Sequence, residues 1–189
     1  MNDSHHPWKV LAEKPIYDNP WISVTEYDVL NPAGKPGIYG KVHFKNKAIG
    51  IVPLDEWGHT YLVGQTRFAL AAYSWEIPEG GGPVGTPPLD SAKRELREEA
   101  GLEAREWKLI QEMHLSNSVS DEHGYVFLAT GLSMGHNEPD DTEDIHVRKV
   151  HFQEAYNMVL DGRITDSVSV IAILRVKIML DNGEINLKP

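Results

Sequence analysis

Apolar and polar positions along this chain follow two different periods, and the places where the period changes mark the elements. Residues 21–29 place β-branched and aromatic side chains in loose alternation, residues 31–37 form a Pro/Gly turn cluster, and alternation resumes over 38–44. Two such runs around one turn predict an N-terminal antiparallel hairpin. Residues 48–54 and 61–65 predict two more strands, joined across 55–60 with Trp57-Gly58 at the turn, and 74–78 is a short segment feeding a glycine-rich loop. The period then becomes helical: Leu89, Ala92, Leu96 and Ala100 recur between Pro87 and Ala100, and Gly101 suits the residue just past a helix end. Strands are predicted over 107–115, 125–130 and 147–152, with a long polar loop over 131–144. Helices are predicted over 153–160, closed by Gly162, and over 167–180, where Val168, Ile171, Ala172, Arg175, Ile178 and Met179 keep the period. No internal repeat is visible. This order predicts an α/β chain with a mixed sheet flanked by helices, rather than regular βαβ winding.

Composition narrows what such a chain does. Its 189 residues, 41% hydrophobic, suffice for a sizeable core. A net charge of -10 argues against a duplex-binding surface, because contact with nucleic-acid phosphates needs a basic face. There is no Cys, so neither disulfides nor thiolate chemistry contribute, and the cytoplasm is the expected compartment. No apolar stretch approaches a membrane span, so no membrane partner is expected. His5 and His6 read as part of a polar terminus rather than as a metal site.

Candidate chemistry concentrates on the helix after the glycine-rich loop. Glu95, Glu98 and Glu99 stand at i, i+3 and i+4, so they share a face and repel one another by a few tenths of a kcal/mol per pair, on the order of 0.2–0.5. A bound cation reverses that penalty. Carboxylates without Cys or His point to a hard ion, Mg²⁺ or Mn²⁺, commonly held by few carboxylates together with substrate phosphates. The chemistry indicated is therefore that of a phosphate compound. At the helix start, Thr86 reads as the N-cap and Pro87 as the first helical residue. The loop over 131–144 carries Glu138, Asp140, Asp141, Glu143 and Asp144, and loops of that length are functional or disordered.

The run GGGPVGTPPLDSAKRELREEAGL, residues 80–102, resembles the Nudix box: Gly80 opens it, Arg94-Glu95-Leu96 is its central triplet, Glu98-Glu99 its acidic pair, and Gly101-Leu102 its end. Thr86 stands where the family has a first Glu, one that supports the helix arginine rather than a metal. The resemblance implies an α/β/α sandwich with a mixed sheet, over residues 47–189, preceded by an N-terminal β extension of residues 1–46 that serves dimerisation and the substrate pocket. It also implies a metal set of Glu95, Glu98 and Glu99 with the backbone carbonyl of Glu79. The stretch Asp141-Thr142-Glu143-Asp144-Ile145 is similar to the family's Glu-x-Glu-Asp-Ile loop, which makes Glu143, with Asp141 in reserve, the proton acceptor or a closing ligand.

Gln65, Arg67, Trp75, Glu76 and Pro78, and further on Gly162-Arg163-Ile164-Thr165-Asp166 before an apolar helix, resemble the ADP-ribose pyrophosphatase branch. In that comparison Arg67 is a phosphate or ribose contact, suited to its planar donor fork, and Glu76 also touches substrate. Tyr27 lies where the branch stacks an aromatic residue on the base, often from the partner subunit, although a strand tyrosine is as readily core. Ser116-Asn117-Ser118-Val119-Ser120-Asp121-Glu122 lacks the proline of the branch's Ser-Pro-Gly-x-Ser-x-Glu stretch, so the expected substrates are nucleoside diphosphate sugars broadly, ADP-ribose and GDP-mannose among them, cleaved to a nucleoside monophosphate and a sugar phosphate. The alternatives are a dinucleoside polyphosphate or nucleotide hydrolase, and a non-catalytic nucleotide-sugar sensor. A homodimer is expected.

Overall fold

The computed structural model describes residues 6–135 and 145–188, which form two units: Met1–Asn46 with His114–His123, and Lys47–Met113 with Gly124–Pro189. The first unit holds three strands, β1 (Lys9–Asp18), β2 (Ile22–Leu30) and β3 (Pro36–Phe44), paired antiparallel in that order. The expected hairpin is thus extended by β1. Its sequence KVLAEKPIYD hides the strand, because every residue is exposed, Pro15 interrupts it, and its register shifts between Val10 and Ala12 and between Pro15 and Tyr17. Residues 114–123 join this unit through hydrogen bonds, Val42 N–H to Val119 O at 2.8 Å and Asp121 N–H to Val42 O at 3.2 Å. The Asp121 carboxylate adds contacts to Lys41, His43 and the Phe44 amide.

In the second unit, β4 (Asn46–Pro53) runs parallel to β9 (His123–Met134) inside a four-stranded sheet completed by β7 (Glu79–Pro83) and β8 (Leu102–His114), in the order β7-β4-β9-β8. A second, antiparallel sheet has the order β10 (His146–His151), β5 (His59–Arg67), β6 (Ala72–Glu76). Successive side chains on a strand point to opposite faces, and β4 uses both. Ile49 and Ile51 pack with Phe127 and Ala129 of β9 under Ala92 and Leu96 of α1 (Pro88–Ala100). Leu96 is fully buried, so its truncation to Ala would cost about 2–5 kcal/mol. Gly50 faces the other way, and a Cβ there would sit 2.7 Å from Val168 of α3 (Ser167–Asp181) and 2.9 Å from Ile77. Helices therefore lie on both faces of a mixed sheet, the α/β/α arrangement the family resemblance implies, with α2 (Phe152–Leu160) preceding α3.

Three expectations need correction. Thr86 is not the cap of α1: Pro87 holds that position, no side chain caps the helix, and Pro88 occupies the first turn. Two consecutive prolines, which have no N–H to satisfy, make a side-chain cap less necessary. The glycine-rich run is itself strand β7 over Glu79–Pro83, because pairing with β4 supplies the order that glycine lacks. Lastly, β9 continues to Met134, so the polar loop does not begin at Gly131; sheet pairing overrides the polar local sequence there.

Candidate active site

The turn from β6 through β7 and the outer face of α1 bring the candidate residues of the second unit together. Glu95 and Glu99 are 7% and 8% exposed, an unusual depth for two carboxylates on one helix face, while Glu98 is partly exposed. The chain approaches them by backbone. The Glu79 amide donates to Glu99 Oε2 at 2.8 Å. A Cβ at Gly80 would lie 2.2 Å from Glu95 Cδ and 2.3 and 2.5 Å from its oxygens, so any side chain there displaces the Glu95 carboxylate.

Arg94 organises the helix face. It donates to Glu95, to Glu98 Oε2 at 2.6 Å and to the Gly81 carbonyl at 2.9 Å, tying two of the acidic residues to the glycine run. Partial burial works against its charge, but Glu95 and Glu98 raise its pKa and keep it protonated. Buried carboxylates held against backbone at one helix face are a donor set suited to Mg²⁺ or Mn²⁺.

A second acidic group adjoins the first through Glu79. Arg67 forks onto Glu76 and reaches Glu79 Oε1 at 2.7 Å. Burial opposes the charge of Arg67, yet Glu76, Glu79 and Glu99 together hold it firmly protonated. The other Glu79 oxygen, Oε2, is fully buried with no hydrogen-bond donor among the described residues. Burial, followed by the nearby Asp166 and Glu76 carboxylates, pushes Glu79 well above the usual carboxylate range, with Arg67 pulling the other way. Asp166 caps α3, accepting from the Ser169 amide at 2.7 Å. Glu76, Glu79 and Asp166 offer oxygens within 4.8 Å of one another. They border a cavity of about 300 Å³ with Arg67, Ser74, Thr165, Ala69 and Leu70.

The sequence-derived residues thus fall into three places. Glu79, Glu95, Glu98, Glu99, Arg67 and Glu76 gather around β6, β7 and α1. Tyr27 is half-buried on β2 of the first unit, opposite Tyr39 and Glu13. Glu143 and Asp141 lie outside the described residues. Asp166 and the Glu79 side chain were not singled out as ligands, because an aspartate before a helix already has an ordinary capping role and Glu79 was read through its carbonyl alone.

Comparison with known proteins bears on this geometry. Residues 45–168 match the NUDIX domain, and residues 8–42 match the nucleoside diphosphate sugar hydrolase N-terminal domain. The chain is 32% identical over 179 residues to an ADP-ribose pyrophosphatase of Mycobacterium tuberculosis, covering 92% of this chain and 84% of that one. It is 30% identical over 167 residues to an ADP-ribose pyrophosphatase of Bacillus subtilis, covering 87% and 90%. A solved structure described as that of an ADP compounds hydrolase superposes with a TM-score of 0.83 at 18% identity, covering 94% of this chain and 97% of that one, which shows a shared fold. No helix among the described residues is long and apolar enough to cross a membrane. With the box residues gathered on α1 and a family match over most of its length, this chain belongs to the Nudix family and is a pyrophosphohydrolase of its nucleoside diphosphate sugar hydrolase branch.

Proposed function

We propose that the protein cleaves the diphosphate of nucleoside diphosphate sugars, ADP-ribose, GDP-mannose and similar compounds, to a nucleoside monophosphate and a sugar phosphate, as a cytoplasmic homodimer using Mg²⁺ or Mn²⁺. The observation that carries this reading is the buried Glu95 and Glu99 pair pressed against the Gly80 backbone, beside the Arg67 fork. When bound, the ion supplies positive charge to the phosphoryl oxygens and acidifies water.

The rest is work for this chain's own residues. Glu95, Glu99 and Glu98, with the Glu79 carbonyl, hold the ion. Arg94 keeps Glu95 and Glu98 in place, so the set is organised before substrate arrives. Arg67, held by Glu76 and Glu79 through Nε and Nη2, turns its other terminal nitrogen, Nη1, to phosphate or ribose. Water adds to one phosphorus, the bridging P–O bond breaks, and the departing phosphate keeps the electron pair. Glu143, with Asp141 in reserve, takes the water's proton, because carboxylates committed to a cation are poor bases. Tyr27 stacks on the base.

Support for the dimer comes from the first unit, where Val10, Leu11, Ile16, Tyr17, Trp21 and Ile38 are each more than half exposed. A second copy of the chain covering these side chains would remove them from water. The test of function is a panel of nucleotide sugars, dinucleoside polyphosphates and free nucleotides with Mg²⁺ or Mn²⁺, read as products. Nucleoside monophosphate release from nucleotide sugars supports the reading. Preference for dinucleoside polyphosphates, or binding of nucleotide sugars without turnover, overturns it.

A further inference from the structure

We infer that Glu76, the Glu79 side chain and Asp166 form a second divalent-cation site, separate from the box carboxylates of α1. Three separate elements supply the ligands: Glu76 ends β6, Glu79 opens β7, and Asp166 precedes α3. One oxygen from each lies within 4.8 Å of the others. Oxygen ligands of a divalent ion stand about 2.0–2.6 Å from it, so opposed ligands are roughly 4–5 Å apart, which matches this spread.

The second observation is the unsatisfied oxygen. Glu79 Oε1 accepts from Arg67, but Oε2 is fully buried, and among the described residues no donor is placed on it and the carboxyl of Asp166 is the group that adjoins the Glu79 side chain. The Glu79 carboxylate instead faces that of Asp166, whose own Oδ2 is already engaged by the Ser169 amide. Buried polar groups are nearly always paired, and one left over needs a cause. A substrate hydroxyl is not the missing partner, because Oε2 is closed to a water-sized group. A bare metal ion is smaller than that.

Charge gives the valence. A bound cation holds all three carboxylates ionised, and with Arg67 as the cation beside them among the described residues, two negative charges then remain at the wall of the 300 Å³ cavity. A divalent ion closes that balance, and a monovalent one leaves it half open. The cavity supplies the entry path and room for the remaining water or phosphate ligands, as Mg²⁺ and Mn²⁺ require. Glu79 links the two sites, since its amide is bonded to Glu99 while its side chain faces Asp166.

The test counts Mn²⁺ bound to the full chain by electron paramagnetic resonance, with no substrate present and no turnover measured, so its outcome does not depend on the proposed hydrolysis. Asp166→Asn and Glu79→Gln should each lose one Mn²⁺ per chain relative to wild type, whereas Glu99→Gln should retain that ion. Asn caps helices as well as Asp does, so Asp166→Asn keeps the start of α3, and equal thermal midpoints check the fold. Equal Mn²⁺ counts in wild type, Asp166→Asn and Glu79→Gln would overturn the inference, the carboxyl pair then sharing a proton. Loss in only one of those two variants, or loss of the same ion in Glu99→Gln, would overturn it as well.

Discussion

Gly80→Ala probes the contact on which the box geometry rests. The new methyl would stand 2.2 to 2.5 Å from the Glu95 carboxylate. Ordinary van der Waals separation is roughly 3.5 Å, so the carboxylate must retreat by about 1 Å. It cannot do so freely, because Arg94 holds it from the side and the residue is buried. A misplacement of about 1 Å in a positioned group costs on the order of 10²-fold in rate, equivalent to roughly 2.7 kcal/mol of barrier. The assay is kcat/KM on a nucleotide sugar across a range of Mg²⁺, alongside the thermal midpoint. Gly37→Ala is the control, since a Cβ there meets nothing within 4 Å. Gly80→Ala should be about 10²-fold slower at limiting Mg²⁺ while Gly37→Ala matches wild type. Equal activity of the two variants would refute the reasoning, because the strand would then have room that the structure denies it.

Three further outcomes are expected. Thr86→Ala should change stability by no more than about 0.5 kcal/mol in urea unfolding, since the Thr86 side chain caps nothing. Glu143→Gln should lower kcat by about 10²- to 10⁴-fold with little change in KM, and Asp141→Asn by less, as pre-steady-state and steady-state rates would show. Sedimentation should give a homodimer at assay concentrations, and replacing Leu11 and Ile38 with Lys should shift it to monomer and lower activity.

Much of the fold was legible because its signals are local and periodic. Leu89, Ala92, Leu96 and Ala100 mark one face of α1, and the structure packs Ala92 and Leu96 into the core with Leu89 and Ala100 at its margin. The clustering of acidic residues on the other face follows from the same 3.6-residue period. What stayed hidden depends on pairing at a distance. β1 has no buried face to impose alternation, so nothing in KVLAEKPIYD announces it. β7 is mostly glycine and becomes a strand only because β4 lies beside it. The Glu79 and Asp166 encounter joins residues 87 positions apart, and neither has a local pattern that points to the other. Thr86 failed for the opposite reason, since a good local cap signal was overridden by the two prolines that follow it.

The most direct measurement is kcat/KM of wild type and Glu99→Gln on ADP-ribose as a function of Mg²⁺, with EDTA as the zero point. The buried carboxylate bonded to the Glu79 amide should be indispensable for holding the ion. Wild type should release AMP and ribose phosphate only with the divalent ion present, and Glu99→Gln should fall by about 10²-fold or more even at saturating Mg²⁺. Turnover unchanged by EDTA, or a Glu99→Gln enzyme with wild-type kcat/KM, would contradict the account.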